Sequence, residues 1–192
     1  MAEVLHKDST ALVVIDIQKG IAAAGRKFEP NDVQIVVNNV GKLVSRFREL
    51  GSPVVLVHVS TKDGKDMLNP VVDQPMQWGR DRPADWSEFA DEIAPVSTDI
   101  IITKRQWGAF HGTELDLQLR RRGVSAIVLC GISTNIGVET TAREAYQHGY
   151  NQIFEIDAMT AASSDEHDST AKFIFPRIGR VRKTAEILGM LE

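Results

Sequence analysis

The chain has 192 residues, 43% of them apolar, which is enough for one sizeable hydrophobic core and slightly long for the commonest domain size. A formal net charge of −4, with Lys and Arg scattered apart from Arg120-Arg121-Arg122, points away from nucleic acid as a partner. One cysteine excludes an internal disulfide, the N-terminus lacks a basic-then-apolar leader, and no apolar run approaches the roughly 20 residues that span a bilayer. A soluble cytoplasmic protein with no membrane partner is expected.

In chain order, Ala11–Ile17 is a continuous apolar run that reads as a buried strand, broken only by Asp16. Val33 to Leu50 carries Val36, Val40, Leu43, Val44 and Phe47 at helical spacing and stops at Gly51, where helices commonly end. Pro53–Val59 is the second strand and Ile100–Ile102 the third. Thr113–Arg122 is a helix whose basic end suits the negative pole of the macrodipole. Ala126–Cys130 is the fourth strand, Thr140–His148 a helix and Gln152–Ile156 the fifth strand. Asp165–Phe175 is a helix, Gly179–Val181 a short last strand and Thr184–Leu191 a final helix. Strands alternating with helices predict a three-layer α/β/α, Rossmann-like domain built on a mostly parallel six-stranded sheet.

Residues 60–98 break this regularity. They hold Pro70, Pro75, Pro83 and Pro95 with Trp78 and Trp86 and show no sustained period. A connection of that length is usually functional or disordered, and its tryptophans favour a lid or an oligomer contact within the one domain spanning residues 1–192.

In parallel sheets of this kind ligands bind beyond the carboxyl ends of the strands, where the strand order reverses. Asp16 ends the first strand, Lys104 follows the third, and the turn Gly131–Gly137 follows the fourth, so three distant segments are expected to converge. A lone Asp or Lys at such a place is most often a cap or a solvated charge. Their coincidence with the glycine turn makes a catalytic role the stronger reading for both.

Three separated stretches carry a family resemblance: Ala11-Leu12-Val13-Val14-Ile15-Asp16-Ile17-Gln18; Lys104 with Gln106-Trp107-Gly108-Ala109-Phe110; and Gly131-Ile132-Ser133-Thr134 with Val138-Glu139. In this order and spacing the chain resembles the isochorismatase-like, or cysteine-hydrolase, family over nearly its whole length. The resemblance implies that fold, assembly as a homo-oligomer (dimer or tetramer), and a triad of Asp, Lys and Cys that maps here onto Asp16, Lys104 and Gly137. Glycine cannot be a nucleophile. The branch that hydrolyses the enol-pyruvyl ether of isochorismate also resembles this chain in having glycine at the third position, and it works without a covalent intermediate. The resemblance further implies a non-proline cis peptide, here between Ile132 and Ser133, turning the Ser133 N–H toward the spot faced by the Gly137 N–H as a two-donor oxyanion hole.

Ser133 and Thr134 offer hydroxyls, but neither has a histidine nearby in sequence to activate it. Cys130 closes an apolar strand and reads as a small core hydrophobe. No two of His6, His58, His111, His148 and His167 have metal-ligand spacing, and Ser60–Asp66 lacks the Asp-x-His metal site of the resembled nicotinamidases, so no metal or other cofactor is expected. Trp107, Phe110 and His111 are read as pocket walls, with core packing nearly as good an account of the two aromatics. Thr134 is placed with Trp107 and Phe110 as a substrate-binding residue.

Two functions remain. The first is hydrolysis of a small enol-ether metabolite, with Asp16 donating a proton to carbon and Lys104 positioning it. Lys104 alone would lower the proton affinity of Asp16, so burial or substrate carboxylates must offset it. The second is a binding or assembly module that keeps an amidase-like pocket without hydrolysis. Apolar Val57 or Val59 stands where true isochorismatases tend to place a polar residue, and a basic clamp for a dicarboxylate is confined to Arg80, Arg82 and Arg105.

Overall fold

A computed structural model describes residues 4–22, 27–74 and 83–192. Its frame is one six-stranded sheet formed by β1 (Thr10–Ile15), β2 (Val54–Val59), β3 (Ile100–Lys104), β4 (Ala126–Ile132), β5 (Asn151–Thr160) and β6 (Arg180–Arg182). The order is β3-β2-β1-β4-β5-β6 and every adjacent pair is parallel. The chain winds outward from β1 to one edge and then from β4 to the other, so β1 and β4 flank the point where the winding reverses.

Each strand is an apolar run because both sheet faces are covered. Leu12 and Val14 of β1 pack with Val36, Val40, Leu43 and Phe47 of helix α1 (Val33–Leu50); Val13 and Ile15 pack on the opposite face. That second face is covered by α2 (Leu115–Arg121) and α3 (Glu139–Gln147) through Leu115, Leu119, Ala142 and Ala145. α1 forms where its periodicity requires: Asp32 caps it by accepting from the Gln34 N–H, and Gly51 ends it at φ 71° with its N–H donating to the last carbonyls. Phe47 is fully buried, and truncating such a side chain to Ala costs about 3–5 kcal/mol.

Several boundaries differ from the sequence-based expectation. β1 stops at Ile15 because Asp16 turns to φ 55°, outside extended geometry. β3 runs through Lys104, so that residue ends the strand and does not follow it. β5 runs to Thr160 through the polar Glu155 and Asp157, with a register shift opposite Leu129 and Gly131 of β4. The helix expected over Asp165–Phe175 is divided into α4 (Ser164–Phe173) and α5 (Phe175–Ile178), with Pro176 in the first turn of α5. The last helix, α6, is Thr184–Met190. Pro75, Trp78, Arg80 and Arg82 lie outside the described residues. Among the described residues no helix is long and apolar enough to cross a membrane.

Candidate active site

The site is built at the carboxyl ends of β1, β3 and β4. β1 and β4 run in register from Thr10–Ala126 to Ile15–Gly131, and Gly131 lies at φ 124°. A Cβ at Gly131 would overlap the Ile15 carbonyl, so only glycine lets the two strand ends approach this closely. Asp16 follows immediately. Gln18, fully buried just beyond, accepts from the Val59 N–H (2.8 Å) and donates to the Val59 carbonyl (3.1 Å), bracing the loop after β1 against the end of β2.

Lys104 Nζ lies 2.7 Å from Asp16 Oδ2 and donates to the Trp107 carbonyl at 2.6 Å. The two residues are 1% and 5% exposed, so this is a buried ion pair. Asp16 Oδ1 has no hydrogen-bond partner among the described residues. Burial raises the proton affinity of the Asp16 carboxyl, and this outweighs the opposing pull of Lys104 and, more weakly, His58. The sequence left that balance open; desolvation decides it.

Gly137 closes the triangle. A Cβ built there would stand 3.1 Å from Lys104 Nζ and 3.2 Å from Asp16 Oδ2, so the side chain that glycine lacks would point at the ion pair. The expected helix start at Thr140 is too late. A π-helical turn spans Thr134–Val138 and runs into α3, which puts Gly137 inside the helical turn. Thr141 fixes it there: its hydroxyl donates to the Gly137 carbonyl (2.7 Å) and accepts from the Ala109 N–H (3.1 Å), coupling the segment after Lys104 to the turn. The Ile132–Ser133 peptide is cis, and the Ser133 carbonyl accepts from the Ile136 and Val138 N–H groups.

A cavity of about 540 Å³ opens over this triangle and is lined by Asp16, Lys104, Ser133 and Gly137 at its base. Ile136, Val59 and Ile21 form apolar walls, and Met67–Gln74 contributes much of the roof. Trp107, half exposed, lines it as expected.

Two of the expected substrate-binding residues do not line it. Phe110 is turned into the core, 6% exposed, stacked on His148 (5.1 Å) and near Tyr150 (5.7 Å), with its N–H donating to Glu144. Thr134 is fully buried, donating to the Thr160 carbonyl (3.1 Å) and hydrogen-bonded with His167 Nδ1 (2.8 Å). It anchors the turn and does not line the cavity. His167 therefore does reach a hydroxyl of this turn although it lies 33 residues away in sequence. His111 is exposed and outside the cavity, and Cys130 is buried, its thiol pushed well up by burial. Among the described residues no three His, Cys, Asp or Glu side chains gather to hold a metal ion.

The "Isochorismatase domain" family model matches residues 10–186. The chain belongs to the isochorismatase family. Members of this family are generally hydrolases. The chain is 54% identical to the isochorismatase family protein YwoC of Bacillus subtilis (strain 168) over 93% of its own length and 92% of the relative's. Among solved structures, an isochorismatase family protein from Burkholderia thailandensis superposes with a TM-score of 0.91 at 40% identity, covering 99% and 98% of the two chains. N-carbamoylsarcosine amidase from Thermoplasma acidophilum gives 0.74 at 30% identity, covering 92% and 96%.

Proposed function

We propose that this chain hydrolyses a small enol-ether or related metabolite by acid catalysis, with Asp16 as the proton donor and no covalent thiol intermediate. The observation that carries the reading is the state of the Asp16 carboxyl. It is buried and raised in proton affinity, one oxygen is held by Lys104, the other has no hydrogen-bond partner among the described residues, and the residue lines the cavity. A proton on the Asp16 carboxyl passes to the terminal carbon of the enol ether, the ether carbon becomes an oxocarbenium centre, and water adds there. The resulting hemiketal collapses to a ketone and an alcohol, and the proton released by water returns to Asp16. Lys104 fixes the carboxyl and supports its anion after transfer. Ser133 and Gly137 line the cavity, and in this reading their amides serve as donors to substrate oxygen while Trp107 bounds the substrate.

Gly137 fits this route and opposes its thiol-dependent counterpart. In the reading proposed here it occupies the position that carries the nucleophilic cysteine in amide-hydrolysing relatives, and no thiol or histidine lines the cavity among the described residues. Ser133 does line it, but no base is hydrogen-bonded to its hydroxyl among the described residues. Self-association as a dimer or tetramer, with 60–98 as lid or contact, belongs to the same proposal. The exposure of Leu68, Val71 and Val72 on the roof supports it.

The test is a hydrolysis screen of enol-pyruvyl ethers and small amides with wild type, Asp16→Asn and Gly137→Cys. Enol-ether turnover that Asp16→Asn abolishes supports the proposal. No turnover in wild type, with amidase activity gained by Gly137→Cys, would replace it with the reading of an amidase-like binding protein.

A further inference from the structure

Apart from Asp16, the charged residues lining the cavity among the described residues are Lys104 and Arg105. Lys104 is committed at the base to Asp16 and the Trp107 carbonyl. Arg105 stands one residue further on, at the rim, and is held in a particular way. Its Nε donates to Asp66 Oδ2 at 2.6 Å, the other Asp66 oxygen accepts from the Thr61 hydroxyl, and the Arg105 carbonyl accepts from the Leu68 N–H at 3.0 Å. The guanidinium is thereby oriented at the base of the roof segment, while its two terminal amino groups make no hydrogen bond among the described residues.

Arg48 shows what a closed structural pair looks like in this chain. It engages Asp99 through both Nε and Nη2, at 3.2 and 2.5 Å, and adds the Ala94 carbonyl. Arg105 spends only its Nε on Asp66 and keeps the planar Nη edge open. A guanidinium edge of that kind matches the two oxygens of a carboxylate. The remaining polar lining is neutral, with the amides of Asn69, Gln74 and Gln106, and the walls are apolar.

We propose that Arg105, oriented by Asp66, is a specificity-determining residue that receives one carboxylate of the substrate at the cavity rim, so that the enzyme takes a monoanionic compound with an apolar body. The inference rests on the proposed function for the identity of the reacting group at Asp16, but not for the binding itself. One open cationic edge among the described residues fits one carboxylate and does not make a dicarboxylate clamp.

Binding probes test this without any turnover, so a failure here is distinguishable from a failure of the hydrolase reading. Benzoate and cyclohexanecarboxylate are titrated against their amides, benzamide and cyclohexanecarboxamide, by calorimetry. Wild type should bind the acids at least about tenfold more tightly than the amides, as expected for a charge-assisted bidentate contact. In Arg105→Gln that preference should fall to about onefold with amide affinity unchanged. Arg105→Lys, which keeps the charge but not the fork, should retain only part of it. Equal affinity of acids and amides in wild type, a full acid preference persisting in Arg105→Gln, or no saturable binding of either acid would overturn the assignment.

Discussion

Replacing Lys104 by methionine isolates the energetic consequence of the buried ion pair. The side chain is 1% exposed and methionine approximates its length, so the volume is largely kept while the charge is lost. Asp16 then has no counterion at 5% exposure, and the folded protein must hold it protonated. The sign follows from the direction of the shift. A carboxyl whose folded proton affinity is raised contributes most below its ordinary value of 3.8 and loses stability as pH rises, because the unfolded chain releases a proton that the folded chain keeps. Each pH unit costs about 1.4 kcal/mol, and roughly three units separate the ordinary value from pH 7, so the variant loses at most about 4 kcal/mol by this route at pH 7 and about 1.5 at pH 5. Wild type follows the same slope only until its own Asp16 ionises. Guanidinium unfolding of both proteins at pH 5, 6, 7 and 8 should therefore show a gap that widens with pH, and the gap should be flat in an Asp16→Asn background. A pH-independent loss in the Asp16 background would refute the reasoning, because it would mean that the lysine acts through packing and its bond to Trp107 alone.

Three further outcomes are expected. Glu155 is buried beside Asp157 and takes the Thr184 hydroxyl, and burial pushes its carboxyl up to about 9 from an ordinary 4.5. The folded protein thus keeps a proton at pH 7 that the unfolded chain has released, and Glu155→Gln should stabilise by up to about 3 kcal/mol there, with a gap that shrinks toward pH 5 in thermal or denaturant melts. A gap of constant size would contradict this. Gly131→Ala places a Cβ into the Ile15 carbonyl at φ 124° and should cost about 3 kcal/mol or more in denaturant unfolding, whereas a near-neutral effect would show that β1 and β4 can separate. Iodoacetamide should modify buried Cys130 slowly and leave activity unchanged, while Gly137→Cys should add a fast-reacting thiol beside Lys104, followed by mass spectrometry; rapid inactivation of wild type through Cys130 would mean the nucleophile has been misplaced.

The legible part of the fold is the part governed by periodicity. The periodicity and Gly51 predict α1 over Val33–Leu50, and it occupies those residues, with the Asp32 side chain capping its start in the structure. The strand centres followed for the same reason, as β1, β2 and β4 are apolar on both faces. The ends were less legible because tertiary context sets them. β5 continues through Glu155 and Asp157 where α6 supplies Thr184 to both side chains, and no local pattern announces a partner 29 and 27 residues downstream. The turn after β4 begins its helical geometry at Thr134, held by His167 and the Thr160 carbonyl, both distant in sequence.

For the site, convergence was legible and orientation was not. A sheet ordered β3-β2-β1-β4-β5-β6 must bring the ends of β1, β3 and β4 to one edge, so the meeting of Asp16, Lys104 and Gly137 follows from topology once those residues are seen at strand ends. Which way Phe110 and Thr134 point depends on what packs around them, and His148, Tyr150 and His167 draw both inward. The proton affinity of Asp16 belongs to the same class of question. From sequence the visible effect is the neighbouring lysine, which favours the anion. The structure adds the low exposure created by packed strand ends and the roof over the cavity, and that second effect is the larger. The raised proton affinity of the Asp16 carboxyl thus arises from where the backbone turns at Asp16 and how tightly β1 and β4 close behind it, with Lys104 restraining the shift.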